Sequence, residues 1–225
     1  MLTGDEREAI RLAGERLELP EYYRDFQRNF QRAREFWKLE RGQAFAEPGS
    51  PSWEAFAAGD WDEAMRRHEE SREDLRRYHE ENSAAGTQTR RIRIVSLPVT
   101  PYLQWELRLL KIRDETGGPV RILHAEAAAG LEGQGPLPDI YTMDGTVMYQ
   151  AVYDGHGVLE CALRYTDQAL VSRCRDLIAG LYARGEPIGS FFEREIAHLP
   201  APRPAGPVIP RDYLARAGRP RPIRS

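Results

Sequence analysis

The chain has 225 residues, 41% of them hydrophobic and 30% charged, with a net charge of −3, so it is long enough to bury a sizeable core and too acidic to present a broad phosphate-neutralising face. No apolar run approaches the roughly 18–20 residues that a membrane-spanning helix needs, and the opening MLTGDEREAI lacks the basic and apolar regions of a secretory signal. Cys161 and Cys174, the only cysteines, have no CxxC or framework spacing and read as reduced, buried thiols, so a cytoplasmic location is expected.

Three regions follow in chain order. The first, 1–85, reads as helical. A short amphipathic segment over 4–17 is ended by Pro20. Tyr23, Phe26, Phe30, Ala33 and Trp37 then recur at spacings of 3 and 4, which predicts one apolar helix stripe. Pro48, Gly49 and Pro51 break the chain, and a second stripe runs from Trp61 through Ala64, His68, Ser71, Leu75 and Tyr78.

The second region, 88–198, mixes strands and helices. Ile92 and Ile94 alternate with Arg91 and Arg93, the period of a strand. Thr100-Pro101 supplies an N-cap and a first-turn proline for a helix with Leu103, Leu107 and Leu110 on one face, ended by Gly117-Gly118. Residues 120–124 predict a second strand. Asp144-Gly145 and Asp154-Gly155-His156-Gly157 are hairpin signals between strand-like runs. Thr166-Asp167 caps a helix that turns Leu170, Cys174, Ile178 and Leu181 inward and closes at Gly185, and Ile188, Phe191, Phe192 and Ile196 mark a last short helix.

The third region, 199–225, holds seven prolines in 27 residues and six Arg against one Asp, so its charge is +5 and the remainder of the chain is −8. It reads as a disordered basic tail. The fold class expected from these elements is α+β: N-terminal helices packed on a mixed, largely antiparallel sheet flanked by helices.

The WKLERGQ, PSWEAFAAGDW, RRIRIV–P–YLQWEL and TDQALVSRCRDLIAGLY segments resemble an uncharacterised actinobacterial family found in streptomycetes, often encoded near helix-turn-helix regulators or in specialised-metabolite neighbourhoods. The resemblance covers about 22–197 and implies no assigned chemistry. More distantly, 88–184 is similar to half of a phospholipase D-like domain, a fold that in regulators senses small molecules without catalysis. The enzymes of that superfamily need His-x-Lys. Here Lys38 is preceded two positions earlier by Phe36, and Lys111 by Leu109, so the ancestral chemistry is absent.

Other catalytic signatures are missing too. The five histidines, His68, His79, His124, His156 and His198, form no HExxH, HxH or Cys/His metal spacing, and no cofactor or metal is expected. No GxSxG is present, neither Ser96 nor Ser190 has a local activating partner, and GLEGQGPLP at 130–138 reads as a loop rather than a phosphate cradle. His124, at a strand end, either lines a pocket or is structural.

Two amphipathic constellations remain as binding candidates. WKLER, read as a helix, places Trp37, Glu40 and Arg41 within one turn, an aromatic plane beside a guanidinium; the alternative is Trp37 in the core and Glu40–Arg41 as a surface pair. YLQWEL places Tyr102, Trp105 and Glu106 on the helix after the first strand, close to Arg93. That suggests a polar aromatic pocket, to which Tyr141, Tyr149 and Tyr153 would add, against the alternative that Trp105 only fills a seam.

Three functions are weighed. The first is a non-catalytic regulatory or accessory protein that binds a small molecule or a helix-turn-helix regulator protein. The second is an enzyme of specialised metabolism built on carboxylates, tyrosines and Arg41, with Glu106 as its acid–base group. The third, RNA or DNA binding through the arginines and tail, is disfavoured by the net acidity; 30 Arg against two Lys reads as codon usage. Whether the aromatic stripe over 23–37 buries in this chain or in a homodimer is left open.

Overall fold

A computed structural model describes residues 14–202 except 134. The strands are β1 (Glu15–Glu18), β2 (Glu35–Glu40), β3 (Gln88–Val95), β4 (Val120–His124), β5 (Ile140–Met143), β6 (Val147–Tyr153), β7 (Leu159–Tyr165) and β8 (Glu186–Pro187). They form one mixed sheet in the order β1-β7-β6-β5-β2-β3-β4-β8. β3 runs parallel to β2 and β4, and every other neighbouring pair is antiparallel. The α+β expectation holds.

The helical reading of 1–85 needs correction. Tyr23, Phe26 and Phe30 do share a helix, α1 (Leu19–Phe30), but it ends before Ala33 and Trp37. EFWKLE is instead the strand β2, between β3 and β5. The Asp144 side chain fixes its start by accepting hydrogen bonds from the backbone N–H groups of Arg34 and Glu35, at 2.8 Å each. A central strand covered on both faces carries apolar residues in both registers, so the 3/4 spacing through Trp37 was coincidental. Pro20 opens α1 rather than ending a helix, because its fixed φ and missing N–H suit the first turn. Of the segment over 4–17, residues 4–13 lie outside the described residues, and Glu15–Glu18 is strand.

Helices cover both faces of the sheet. On one face α7 (Gln168–Arg184) presents Leu170, Cys174, Ile178 and Leu181 to Leu39, Ile92 and Ile94, as the sequence predicts. Asp167 caps it by accepting from the N–H of Leu170 at 2.8 Å. The opposite face is covered in two separate parts. Over β5–β7, α1 packs Tyr22 and Phe26 against Phe36, Tyr141 and Tyr149, with Tyr23 and Phe30 half-buried beside them. Over β3 and β4 lie α5 (Pro101–Glu115) and α8 (Ile188–Glu195), joined by α2 (Pro51–Ala57) and α3 (Trp61–Glu70). Thr100 caps α5 through a hydrogen bond from Leu103 N–H. The stripe from Trp61 to Tyr78 spans two helices, α3 and α4 (Arg72–Ala84), with Ser71 at their junction. The short α6 (Ala125–Ala128) follows β4.

The β5–β6 turn has Asp144 at φ 51° and Gly145 at φ 63°, the left-handed pair of a type I′ hairpin. A Cβ on Gly145 would meet nothing nearer than Ser172 Oγ at 3.7 Å. Gly145→Ala is therefore expected to cost about 1–2 kcal/mol from backbone conformation alone, read as a lowered midpoint in urea with an unchanged slope. Cys161 and Cys174 are buried thiols. The basic Pro-rich tail falls outside the described residues from 203 onward.

Candidate functional site

The two helical patches on the second face part between α1 and α5, and the gap is a cavity of about 220 Å³. Its floor follows from strand alternation: every second residue of β2 faces it, namely Phe36, Lys38 and Glu40. Strand register then sets Arg91 and Tyr141 on either side of Lys38. One wall is α5, whose Tyr102, Glu106, Leu110 and Arg113 recur at helical spacing. The 45–50 segment contributes Phe45 and Glu47, and is held to the β6–β7 turn by the bond from Ala46 N–H to Gly157 O at 2.9 Å. Tyr22, Tyr23 and Tyr153 complete the aromatic lining; the Phe45 ring stacks on Tyr153 at 4.5 Å.

Three carboxylates, Glu40, Glu47 and Glu106, and three cations, Lys38, Arg91 and Arg113, line this cavity. Glu40 receives Lys38 Nζ at 2.8 Å and Arg91 Nη1 at 2.9 Å. Burial would raise the Glu40 carboxyl, but the charges of Arg91, Lys38 and Arg93 hold it well below the usual carboxylate range. Burial, with the charge of Arg91 adding, pushes the Lys38 ammonium below its ordinary value. Glu106 accepts from Arg93 Nε at 2.8 Å, and Arg93 is fully buried. Burial and the nearby Glu40 charge raise Glu106 even though Arg93 draws it down.

Glu47 and Arg113 stand apart from these pairs. Glu47 accepts the Tyr102 hydroxyl at 2.5 Å. Burial lifts its carboxyl to about 7, opposed by that hydrogen bond and reinforced by the charges of Glu106 and Glu40. Half-buried Arg113 has no ion-pair partner among the described residues. Burial and the charge of Arg91 lower its guanidinium to about 10.

Of the residues singled out in the sequence, Glu40, Tyr102 and Glu106 meet at this cavity, and Arg93 stands behind it through Glu106. Tyr141 and Tyr153 line it as well. Tyr149 instead donates to Asp25 Oδ2 at 2.7 Å. Three residues are placed elsewhere. Trp37 lies on the opposite face of β2, edge-on to Tyr182 at 5.6 Å and flanked by Arg90 and Arg175. Arg41 pairs with Glu132 at 2.6 Å. The helical turn that would have joined Trp37 to Arg41 does not exist, because this segment is strand.

Trp105 is the third. It is fully buried, stacks on Phe56 at 5.8 Å and donates Nε1–H to Ser52 Oγ at 3.0 Å. Ser52 also lies 3.1 Å from His68 Nδ1, a pairing that invites comparison with a nucleophile and its base. Its own proton, however, goes to Ala64 O at 2.8 Å, and burial holds His68 down to about 4. The pair secures packing between α2, α3 and α5. His124 contacts Glu186 at 3.5 Å and the Phe191 ring and does not line the cavity.

Sequence reasoning missed Lys38, Arg91, Arg113, Glu47 and Tyr22 as cavity residues. The signal for one of them was available: read with a period of two, Lys38 shares a face with Phe36 and Glu40. Among the described residues no group of three or more His, Cys, Asp or Glu is placed to hold a metal, and no helix is long and apolar enough to cross a membrane.

The family model described as a domain of unknown function, DUF6879, matches residues 24–193. The chain belongs to that family. The match runs from α1 to α8, so it takes in the sheet strands β2 to β8 and every cavity residue except Tyr22 and Tyr23. No curated protein matches the chain.

Proposed function

We propose that this protein is a non-catalytic accessory or regulatory protein that binds a small molecule in the cavity between α1, α5 and the sheet. The observation that carries the reading is the cavity itself: about 220 Å³, walled by aromatic rings and by charged groups, among them Lys38 and Arg91 held to Glu40. Pockets of this kind, mostly apolar with a few oriented polar groups, are where small ligands bind. The likeness to actinobacterial proteins encoded near helix-turn-helix regulators supports a regulatory setting. The degenerate phospholipase D likeness, without His-x-Lys, fits binding without chemistry. Two buried thiols fit a cytoplasmic setting. Nucleic-acid binding would rest on the tail, which lies outside the described residues.

Gentle purification from the native host followed by native mass spectrometry tests the reading. A bound small molecule is expected, and Ala151→Phe, which fills a cavity-lining position, should lose it while retaining the circular dichroism of the parent. Recovery of the parent without any adduct would count against the reading.

The enzymatic alternative keeps one specific support, the Tyr102–Glu47 hydrogen bond with Glu47 raised to about 7, a value suited to proton transfer near neutrality. The same shift makes a stability prediction. Because the folded value lies above the ordinary value of 4.5, folding favours the protonated form. Stability is thus expected to fall as pH rises from about 4.5 to about 7 and then to level off. The difference between the parent and Glu47→Gln in urea titrations across that window isolates this group; a difference independent of pH would contradict it.

A further inference from the structure

We propose, resting on the cavity-binding reading, that the ligand is an aromatic acid, carboxylic or phosphoric, with its anionic end at Arg113 and Arg91 and its flat body among the aromatic side chains. Three cations line this cavity, Lys38, Arg91 and Arg113. Lys38 and Arg91 both bond the carboxylate of Glu40, and Arg113 has no carboxylate of its own among the described residues. The three charges lie on adjoining surfaces, since Lys38 and Arg91 are register partners and Arg91 and Arg113 also border the same small recess, next to Phe36 and His79. Clustered cations repel one another in a low-dielectric site; burial first, and the charge of Arg91 second, lower the Arg113 guanidinium. An anion placed there relieves the repulsion and gains charge-assisted hydrogen bonds.

The opposite end has the reverse character. Tyr102 and Arg113 are eleven positions apart on α5, about 16 Å along the helix axis. At the Tyr102 end the acidic group is Glu47, which shares a hydrogen with a phenol; that end suits a neutral hydroxyl or amide, not a second acid. Between the ends, the rings of Phe26, Phe36, Phe45, Tyr141 and Tyr153 border the space, and ring faces of this kind favour a planar apolar body. Together they select an elongated molecule with an acid at one end only.

The test is a panel of matched pairs: naphthylacetate with naphthylacetamide, indoleacetate with indoleacetamide, and naphthyl phosphate with naphthol, measured by thermal shift and calorimetry on the full chain. The acids are expected to bind roughly tenfold or more tightly than their neutral counterparts, and the better of the carboxylate and phosphate arms identifies the head group. Arg113→Gln should abolish the preference without lowering the melting temperature of the free protein, and Arg113→Lys should restore part of it. Equal binding of acids and neutral partners overturns the anion assignment and leaves the cavity reading standing. Silence from the whole panel, with no adduct from the native host, sinks both. A preference that survives Arg113→Gln overturns the placement of the acid.

Discussion

Glu106→Ala is expected to destabilise the protein by about 3–5 kcal/mol, the range for breaking a buried ion pair by removing one partner. Arg93 is fully buried, its Nε donates to Glu106 at 2.8 Å, and its Nη2 has no hydrogen-bond partner among the described residues. Without Glu106 the guanidinium would keep its charge, since it does not deprotonate in proteins, and only the more distant Glu40 and Asp139 carboxylates would offset it. Urea denaturation of the variant reads the effect directly. Arg93→Met combined with Glu106→Leu should recover most of the loss, because a well-packed apolar pair can match a buried ion pair. A near-parental midpoint for Glu106→Ala alone would show that the pair is solvated. This geometry also changes what Glu106→Gln can report: a loss of any activity in that variant would reflect the weakened anchor of Arg93 as readily as a missing acid–base group.

Trp105→Ala is expected to cost about 3–5 kcal/mol through lost burial and the void left behind. The ring is fully buried among Phe56, His68 and Tyr102, at centroid distances of 5.8, 5.1 and 5.4 Å. Its removal also frees Ser52 Oγ from the indole N–H. The loss should appear in equilibrium denaturation. Trp105→Phe, which keeps most of the volume, should lose substantially less. Any effect on ligand binding would then follow α5, which carries Tyr102, Glu106 and Arg113 into the cavity wall, rather than direct contact. If the Ala variant were as stable as the parent, this part of the core would have to be far looser than its burial implies.

Where local signals were strong, the sequence alone was sufficient. The Thr100 and Asp167 caps, the helices they start, the strand over 120–124 and the Asp144-Gly145 turn all stand as read. Each rests on interactions within a few residues, which leave a pattern in the sequence. The faces of α5 and α7 belong to this group, since one buried side imposes a helical period. So do the absence of a membrane-spanning helix among the described residues and the burial of both thiols.

The site was legible only in part, for a physical reason. Tyr102 and Glu106 were visible because α5 was read correctly and its residues stay together on one turn. Trp37, Glu40 and Arg41 were grouped by a helical period that the chain does not adopt there. In β2 the side chains of Glu40 and Trp37 point to opposite faces, and only pairing with β3 and β5, 53 or more positions away in register, decides that the segment is strand. The same pairing sets Lys38 beside Arg91, while the packing of α5 adds Arg113 from a third element. What the sequence by itself determined was the local grammar of helices, caps and turns. What only the tertiary structure decided was which charged and aromatic side chains meet, because strand order and helix docking depend on contacts between residues that share no local pattern.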